Sequence, residues 1–455
     1  MENRCTHIAT TALVAITFTS VHVHAQLSYP LDSTVLAIDV VLDSSRVDIP
    51  WEILWGPDDR LWMTDGPMIT RWDPVTDVVD TLLDRGYGNG LGMALHPDFP
   101  STPIVMAVFD TGAYYGNTAS ICEVSRFTYD AINDTLVNET VLFNYYHAGE
   151  HAGGRMIFDT SGYVLLTTAD YWLNGPDTLF STNGKTLRFA TDGSVPPDNP
   201  RADHTWTWGH RNPQGLARLP NGAVVNTEHG QMPFSNEINL LQRNEDHGYP
   251  YYDGTTCFLI PDTCNSTTYT YTHPIRTFSH PPAGCEFYTS NAIPEFQNKL
   301  ITGILWHRGI MLFDFNAALD SVVGEEYLEG GAFDLMWRNR DIAIRPDGSF
   351  YLITNDRMDA RIRWVHPDLS TPLPEISSLD HAARIWPNPT NDRLTVVAEG
   401  DATIALLDRQ GRSLPVTMHR MGDRFLLDLA TVPAGLYVIR VREDGTSRTA
   451  RVVKR

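Results

Sequence analysis

The chain reads as all-β: a β-propeller of several blades followed by a small C-terminal β-sandwich. Three observations predict this. Four segments share one grammar, helical periodicity is scarce, and Gly, Pro and Trp recur between short apolar runs. The segments are "WGPDDRLWMTDG" (55–66), "IFDTSGYVLLTTAD" (157–170), "ARLPNGAVVNTEHG" (217–230) and "AIRPDGSFYLITND" (343–356). Each sets an apolar strand, a turn of Pro, Asp, Asn, Ser or Gly, and a second apolar strand ending beside an acidic residue. Turn residues between β-branched and aromatic runs signal a hairpin. Equivalent hairpins put the ends of their second strands on one face. Asp65, Asp170, Glu228 with His229, and Asp356 then ring one mouth, where a site would form.

The ends of the chain differ from its middle. Arg4, the apolar "IATTALVAITFTSV" and the "VHA" before Gln26 read as an export signal over residues 1–25. That core is too short to span a bilayer, and no later stretch reaches about 18 uninterrupted apolar residues, so no transmembrane segment is expected. The propeller is expected over 26–365. Residues 366–380, "HPDLSTPLPEISSLD", are Pro/Ser-rich and read as a linker, and 381–455 alternate short strands with turns. A net charge of −21 argues against nucleic acid or an anionic membrane as partner. Residues 381–455 hold 12 Lys/Arg against 8 Asp/Glu, a net of +4, leaving −25 for residues 1–380. This change of sign supports a domain boundary.

Cys5 falls in the signal, leaving Cys122, Cys257, Cys264 and Cys285. In an exported protein Cys257 and Cys264 could close a short loop; the opposing reading is buried free thiols. The absence of any CxxC pair argues against metal binding by thiolate.

Two stretches carry candidate chemistry. In "GEHAGGRM" (149–156), His151 titrates near neutral pH and precedes two glycines, as a base in a cleft with room for a ligand would. The alternative is a surface loop with an idle histidine. In "WGHRNPQGLARLPNG" (208–222), His210, Arg211 and Asn212 offer donors and an amide before a proline that fixes the backbone. Arg211 suits a planar ligand bearing carboxylates, because a guanidinium binds two oxygens at once. Its alternative is a buried salt bridge between blades.

Together with "PWEILWGPDDRLWMTDG", "GMALHPDF" (92–99), "NGKTLRFATDGSVPPDNP" (183–200), "NEINLL" and "RNRDIAIRPDG", these motifs resemble the soluble pyrroloquinoline-quinone (PQQ)-dependent glucose and aldose sugar dehydrogenases, the glucose/sorbosone dehydrogenase family. The resemblance covers about residues 40–365 and implies a six-bladed propeller that oxidises aldose sugars at C1 to lactones, passing electrons to an external acceptor. It places His151 on the family's catalytic base, which takes the proton of the sugar's C1 hydroxyl, and Asp170 on the acid that orients it. Arg211 and Asn212 fall on contacts to the quinone, His229 on a histidine of the aldose branch, and Arg338 with Arg340 on a pair clamping the cofactor's carboxylates. The i, i+2 spacing of that pair sets both on one face of an extended strand. The resemblance also implies Ca²⁺, held by backbone carbonyls of Gly230 and Gln231, with a second position at the Glu237 carboxylate and the His247 carbonyl.

The chain departs from the family at three places. "ILWHRGI" puts His307, with Arg308 beside it, where a cofactor-binding lysine is usual. The glutamine expected near Tyr87 and Gly88 is missing. "QMPFSN" is one residue longer than usual, with Gln231 for a proline. Residues 381–455, through "WPNPTNDRLTV", "LLDRQGR", "VPAGLYVIRV" and "RTARVVKR", resemble the type A sorting domain of the type IX secretion system. That implies secretion or a cell-surface location by way of the periplasm, with the type IX machinery as a partner. The competing function is a non-catalytic propeller of the same fold that binds carbohydrate or protein. A lactonase-type hydrolase lacks a convincing set of calcium-binding side chains.

Overall fold

Short apolar runs punctuated by Gly-, Pro- and Asp-bearing turns dictate strands, and strands are what form. The computed structural model describes residues 27–115, 119–147, 151–170, 181–258, 264, 270–306, 308–335, 338–356, 359–368, 384–388, 390–398, 402–407, 413–422, 424–443 and 446–455. The chain divides into two units, 1–369 and 370–455. The export signal read over 1–25 and most of the linker lie outside the described residues.

Among the described residues of the first unit, six sheets of four or five strands follow one another, besides a two-stranded sheet of Tyr252–Asp253 and Thr256–Cys257. The first comprises Pro50–Trp55, Leu61–Asp65, Met68–Asp73 and Val78–Asp84. The second comprises Asn89–Leu95, Ile104–Tyr115, Ala119–Asp130 and Thr135–His147. The third comprises Gly153–Phe158, Val164–Thr168, Lys185–Phe189 and Thr205–Trp208, edged by Glu245–Asp246. The fourth runs Pro213–Arg218, Val224–Glu228, Asn236–Leu241 and Arg276–Phe278. The fifth runs Pro282–Tyr288, Lys299–Ile304, Ile310–Phe315 and Val322–Leu328. The sixth joins Asn339–Ile344, Phe350–Thr354 and Arg361–Pro367 to the N-terminal Val35–Leu42 and Leu27–Pro30, with Ile38 opposite Val365. All four hairpins expected from sequence are present.

The first strand of each sheet packs on that of the next, and Asn339–Ile344 packs back on Pro50–Trp55. Apolar clusters fill the seams. Leu36, Ile301 and Phe350 pack between the fifth and sixth sheets, and Cys122, Met156 and Leu166 between the second and third. Burying each such side chain stabilises by about 1.5–3 kcal/mol. A cavity of about 690 Å³ is lined by the later residues of these first strands, among them Leu54, Leu95, Phe158 and Phe287. It lies toward the end opposite the residues singled out from sequence, which cluster at the strand starts.

Every first strand carries a register shift near its start: Pro50/Ile53, Gly90/Met93, Gly153/Met156, Pro213/Gly215, Pro282/Cys285 and Asn339/Asp341. Bulges bend a strand and re-aim its side chains. Just inside them, Arg155 ties four sheets together. Its guanidinium pairs with Glu52 at 2.6 Å and Asp341 at 2.9 Å, and its Nε donates to the Gln214 carbonyl at 3.0 Å. Asp341 also accepts the Ile53 N–H at 2.8 Å. All three charged groups are buried.

In the second unit, Arg384–Trp386, Arg393–Val397, Arg424–Asp428 and Thr417–Met421 form one sheet. Ser413–Leu414, Thr403–Leu407, Gly435–Glu443 and Thr446–Lys454 form another. Leu394, Val396 and Leu427 of the first share an apolar core with Leu406, Ile439 and Val452 of the second.

Arg155→Met strands two buried carboxylates, and the expected loss is about 3–5 kcal/mol. A urea-unfolding series checks it; a loss under about 1 kcal/mol contradicts the assigned role.

Candidate functional site

His151 stands two residues before Gly153–Phe158, and Asp170 two residues beyond Val164–Thr168. Gly153 pairs with Thr168, so His151 and Asp170 leave the same end of one hairpin. The glycines after His151 serve the bulge. Gly153 has φ +62 and Gly154 φ +93, a Cβ at Gly153 would meet the Thr167 carbonyl oxygen at 2.8 Å, and one at Gly154 would meet Leu91 Cδ1 at 2.9 Å. Backbone geometry and close packing, rather than room for a ligand, demand them. His151 is partly buried. Burial first, then the Arg211 guanidinium and His147, hold its pKa down to about 4.

Arg211 precedes Pro213–Arg218 and reaches toward the same end. The Asp170 N–H donates to the Arg211 carbonyl at 2.7 Å, fastening the third sheet to the fourth. The Arg211 guanidinium donates to the carbonyls of His229 and Gly230, both at 3.1 Å. Its backbone N–H donates to the Glu228 carboxylate. The interblade salt bridge is therefore not what holds its side chain, since no ion pair of this guanidinium is found among the described residues. The Asn212 amide donates to His229 Nδ1 at 3.4 Å and accepts from Gln214 at 2.8 Å. His229 donates through Nε2 to the Pro282 carbonyl. Burial, with Arg340, Arg211 and His151 all near, pushes its pKa down to about 3, so it is neutral.

Arg340 reaches the cluster from the sixth sheet. It donates to Gln214 Oε1 at 2.7 Å and lies 5.6 Å from the centroid of Trp51. Its Nε, like that of Arg211, is buried without a hydrogen-bond partner. Burial and the nearby Arg338 and Arg155 pull its pKa down to about 9. Arg338 differs from expectation. It precedes Asn339–Ile344 in the left-handed region at φ +58, so the pair does not share the face of one extended strand. The two cations still interact, because the bend brings Arg338 close enough to depress Arg340. His307 lies outside the described residues.

The predicted calcium groups lie beside Arg211. Gly230 sits against Ser235, whose carbonyl oxygen a Cβ would meet at 2.2 Å. The Gln231 N–H donates to Asp253 at 2.9 Å. Glu237 is buried, accepting from the Gly254 N–H at 2.7 Å and Asn239 at 2.9 Å. Burial, with the Glu228 and Asp253 carboxylates, pushes its pKa well above the usual range. Three buried acids repelling one another favour a cation among them. The His247 ring stacks on His210 at 4.6 Å, and both of its nitrogens are buried without a hydrogen-bond partner. His210 is bound to Glu228 at 2.8 Å and is neutral, burial pushing it down to about 3. Asp65, expected at the mouth, is committed to the backbone N–H groups of Asp48 and Ile49.

Sequence reasoning missed Gln214, Trp51 and Tyr249. Gln214 was legible two residues after Asn212 within "RNPQG". Tyr249, whose pKa burial pushes up to about 12 between Asp170 and Arg211, carried no local signal.

The profile of the glucose/sorbosone dehydrogenase family matches residues 47–364, and that of a secretion system C-terminal sorting domain matches residues 384–455. The chain belongs to the glucose/sorbosone dehydrogenase family. The aldose sugar dehydrogenase YliI of Escherichia coli is 27% identical over 362 residues, 72% of this chain and 93% of the relative. Quinoprotein glucose dehydrogenase B of Acinetobacter calcoaceticus is 31% identical over 251 residues, 46% and 52% of the two chains. Among solved structures, the soluble aldose sugar dehydrogenase of Escherichia coli in its apo form shares 25% identity and a TM-score of 0.62, covering 73% of this chain and 100% of that one. The PQQ-bound aldose sugar dehydrogenase of Streptomyces coelicolor, at 20% identity and TM-score 0.60 over 73% and 98%, is alike in fold. The fold is thus of the β-propeller type.

An NMR titration of the His151 ring in the protein without cofactor is expected to give a pKa near 4. In Arg211→Gln it rises, because a cation that disfavours the imidazolium is gone. A value of 6.5 or above in the unaltered protein contradicts the placement.

Proposed function

We propose that the chain is an exported oxidoreductase that oxidises aldose sugars at C1 to lactones with PQQ and calcium, its six sheets being the six blades of a propeller. One observation carries this reading. Arg211, Arg338 and Arg340 approach one mouth beside His151, and none of the three has a carboxylate partner among the described residues. Cations left this way in a partly buried site call for an anionic guest. A planar quinone bearing carboxylates is chemically suited to this set, and Arg338, Arg340, Arg211 and Asn212 would be the residues that hold it. Gly230, Gln231, Glu237 and the His247 carbonyl supply oxygen for calcium, a hard ion.

The quinone, when bound, would supply a carbonyl able to accept the C1 hydride, and with it the electron pair of the oxidation. The rest falls to this chain. The His151 imidazole, neutral well below pH 7, accepts the proton of the C1 hydroxyl. Asp170, at the end of the same hairpin, stabilises the imidazolium that forms. The guanidinium groups stabilise negative charge as it develops, and their anionic guest offsets the Arg211 field that weakens His151 as a base. An external acceptor then restores the oxidised state. Residues 384–455 fold as a small sandwich that addresses the protein to the type IX machinery, the linker before it leaving the sandwich removable.

Purified protein reconstituted with PQQ and Ca²⁺ is expected to reduce a dye when given aldoses. His151→Ala should lower kcat by at least about 10²-fold. Dye reduction unchanged in that variant removes His151 as the base. Sugar binding without any quinone-dependent spectral change selects the non-catalytic alternative.

A further inference from the structure

The second sheet holds a cluster that the proposed chemistry does not use. Across its adjacent strands Asp110 pairs with Cys122, Cys122 with Tyr145, and Ser120 with His147. Cross-strand partners, and residues two apart on one strand, point to the same face. Asp110, Cys122 and His147 therefore project together toward the seam with the third sheet. Their ligand atoms all lie within 4.8 Å of one another, with His147 Nε2 3.3 Å from Asp110 Oδ2.

We propose that Asp110, Cys122 and His147 form a zinc site, with a fourth position left open. Sulfur, imidazole nitrogen and carboxylate oxygen together suit zinc and not calcium. Cys122 and His147 are buried, and His147 Nδ1 has no hydrogen-bond partner while Nε2 faces the Asp110 carboxylate, although buried imidazole normally satisfies both nitrogens. The carboxylate is already oriented. Asp110 Oδ1 accepts from the Ser120 hydroxyl and from the Gly112 N–H at 3.0 Å, which leaves Oδ2 facing the histidine. Asp110 is only partly buried, which gives an ion an entry path. Burial pushes the Cys122 thiol up, so it stays protonated until a metal displaces the proton. The missing CxxC pair misleads because the ligands gather across three strands rather than along one turn. The site is separate from the oxygen ligands around Glu237, and it stands whether or not the chain oxidises sugars.

Cobalt(II) replaces zinc and reports its ligands. The full chain, stripped of metal and then held in excess calcium, is titrated with cobalt(II) and followed by absorbance. Expected are the strong visible bands of a four-coordinate ion and a near-ultraviolet thiolate-to-cobalt band, both lost when zinc is added. Cys122→Ser should abolish the near-ultraviolet band, and Cys285→Ser should leave it. His147→Gln and Asp110→Asn, which keep side-chain volume, should weaken zinc at least about tenfold. Circular dichroism confirms that each variant is folded. If Cys122→Ser unfolds, His147→Gln and Asp110→Asn decide alone. No thiolate band in the unaltered protein, a band that survives Cys122→Ser, or unchanged zinc affinity in both volume-preserving variants overturns the site.

Discussion

The architecture of the site depends on one buried cation. Arg155 pairs with Glu52 and Asp341 and hydrogen-bonds the backbone of Gln214, so that strands from four sheets meet on a single guanidinium. A charge taken out of water is tolerable only when paired and hydrogen-bonded, and here both conditions hold. The arrangement has a consequence one layer nearer the mouth. Because Arg155 holds both carboxylates, Arg340 is left with the Gln214 amide and the Trp51 face. An amide and an aromatic ring do not neutralise a guanidinium. Arg340 thus stands without a carboxylate partner among the described residues where the strand starts converge, although the chain as a whole carries a net charge of −21.

The bulges at the strand starts complete the arrangement. A regular pleat would send alternate side chains into the seams. A register shift in every first strand turns the backbone there, and His151, Arg211 and Arg338 all lie just ahead of those shifts. Positive φ at Gly153, Gly154 and Arg338 belongs to the same distortion. Irregular backbone at one end and regular, apolar-packed strands elsewhere let a rigid scaffold hold groups that come from distant parts of the sequence.

Much of this was legible beforehand, and the limits have physical reasons. The four hairpins with acidic ends were visible because turns of Pro, Asp, Asn, Ser or Gly between β-branched and aromatic runs are local signals. The second and fifth sheets escaped because their first connections, "HPDFPSTP" and "TSNAIPEFQN", lack that grammar. His151, Arg211 and Arg340 were found through dense motifs, and Gln214 lay within one of them. The face shared by Arg338 and Arg340 was misjudged because spacing on an ideal strand takes no account of a left-handed residue at its start. Asp65 shares the hairpin grammar with Asp170, yet its carboxylate closes a backbone turn. Only the fold distinguishes the two. Arg155, Tyr249 and the Asp110–Cys122–His147 cluster depend on contacts between strands far apart in sequence, which composition and spacing do not encode.

The central claim is that unpaired guanidinium groups at one mouth hold a planar polyanion. Calorimetric titration of PQQ into the calcium-loaded protein at two salt concentrations tests it most directly. One quinone should bind per chain, more weakly at the higher salt, and Arg340→Met should lower its affinity at least about tenfold. An absence of binding, or an affinity indifferent both to salt and to loss of Arg340, would contradict the account.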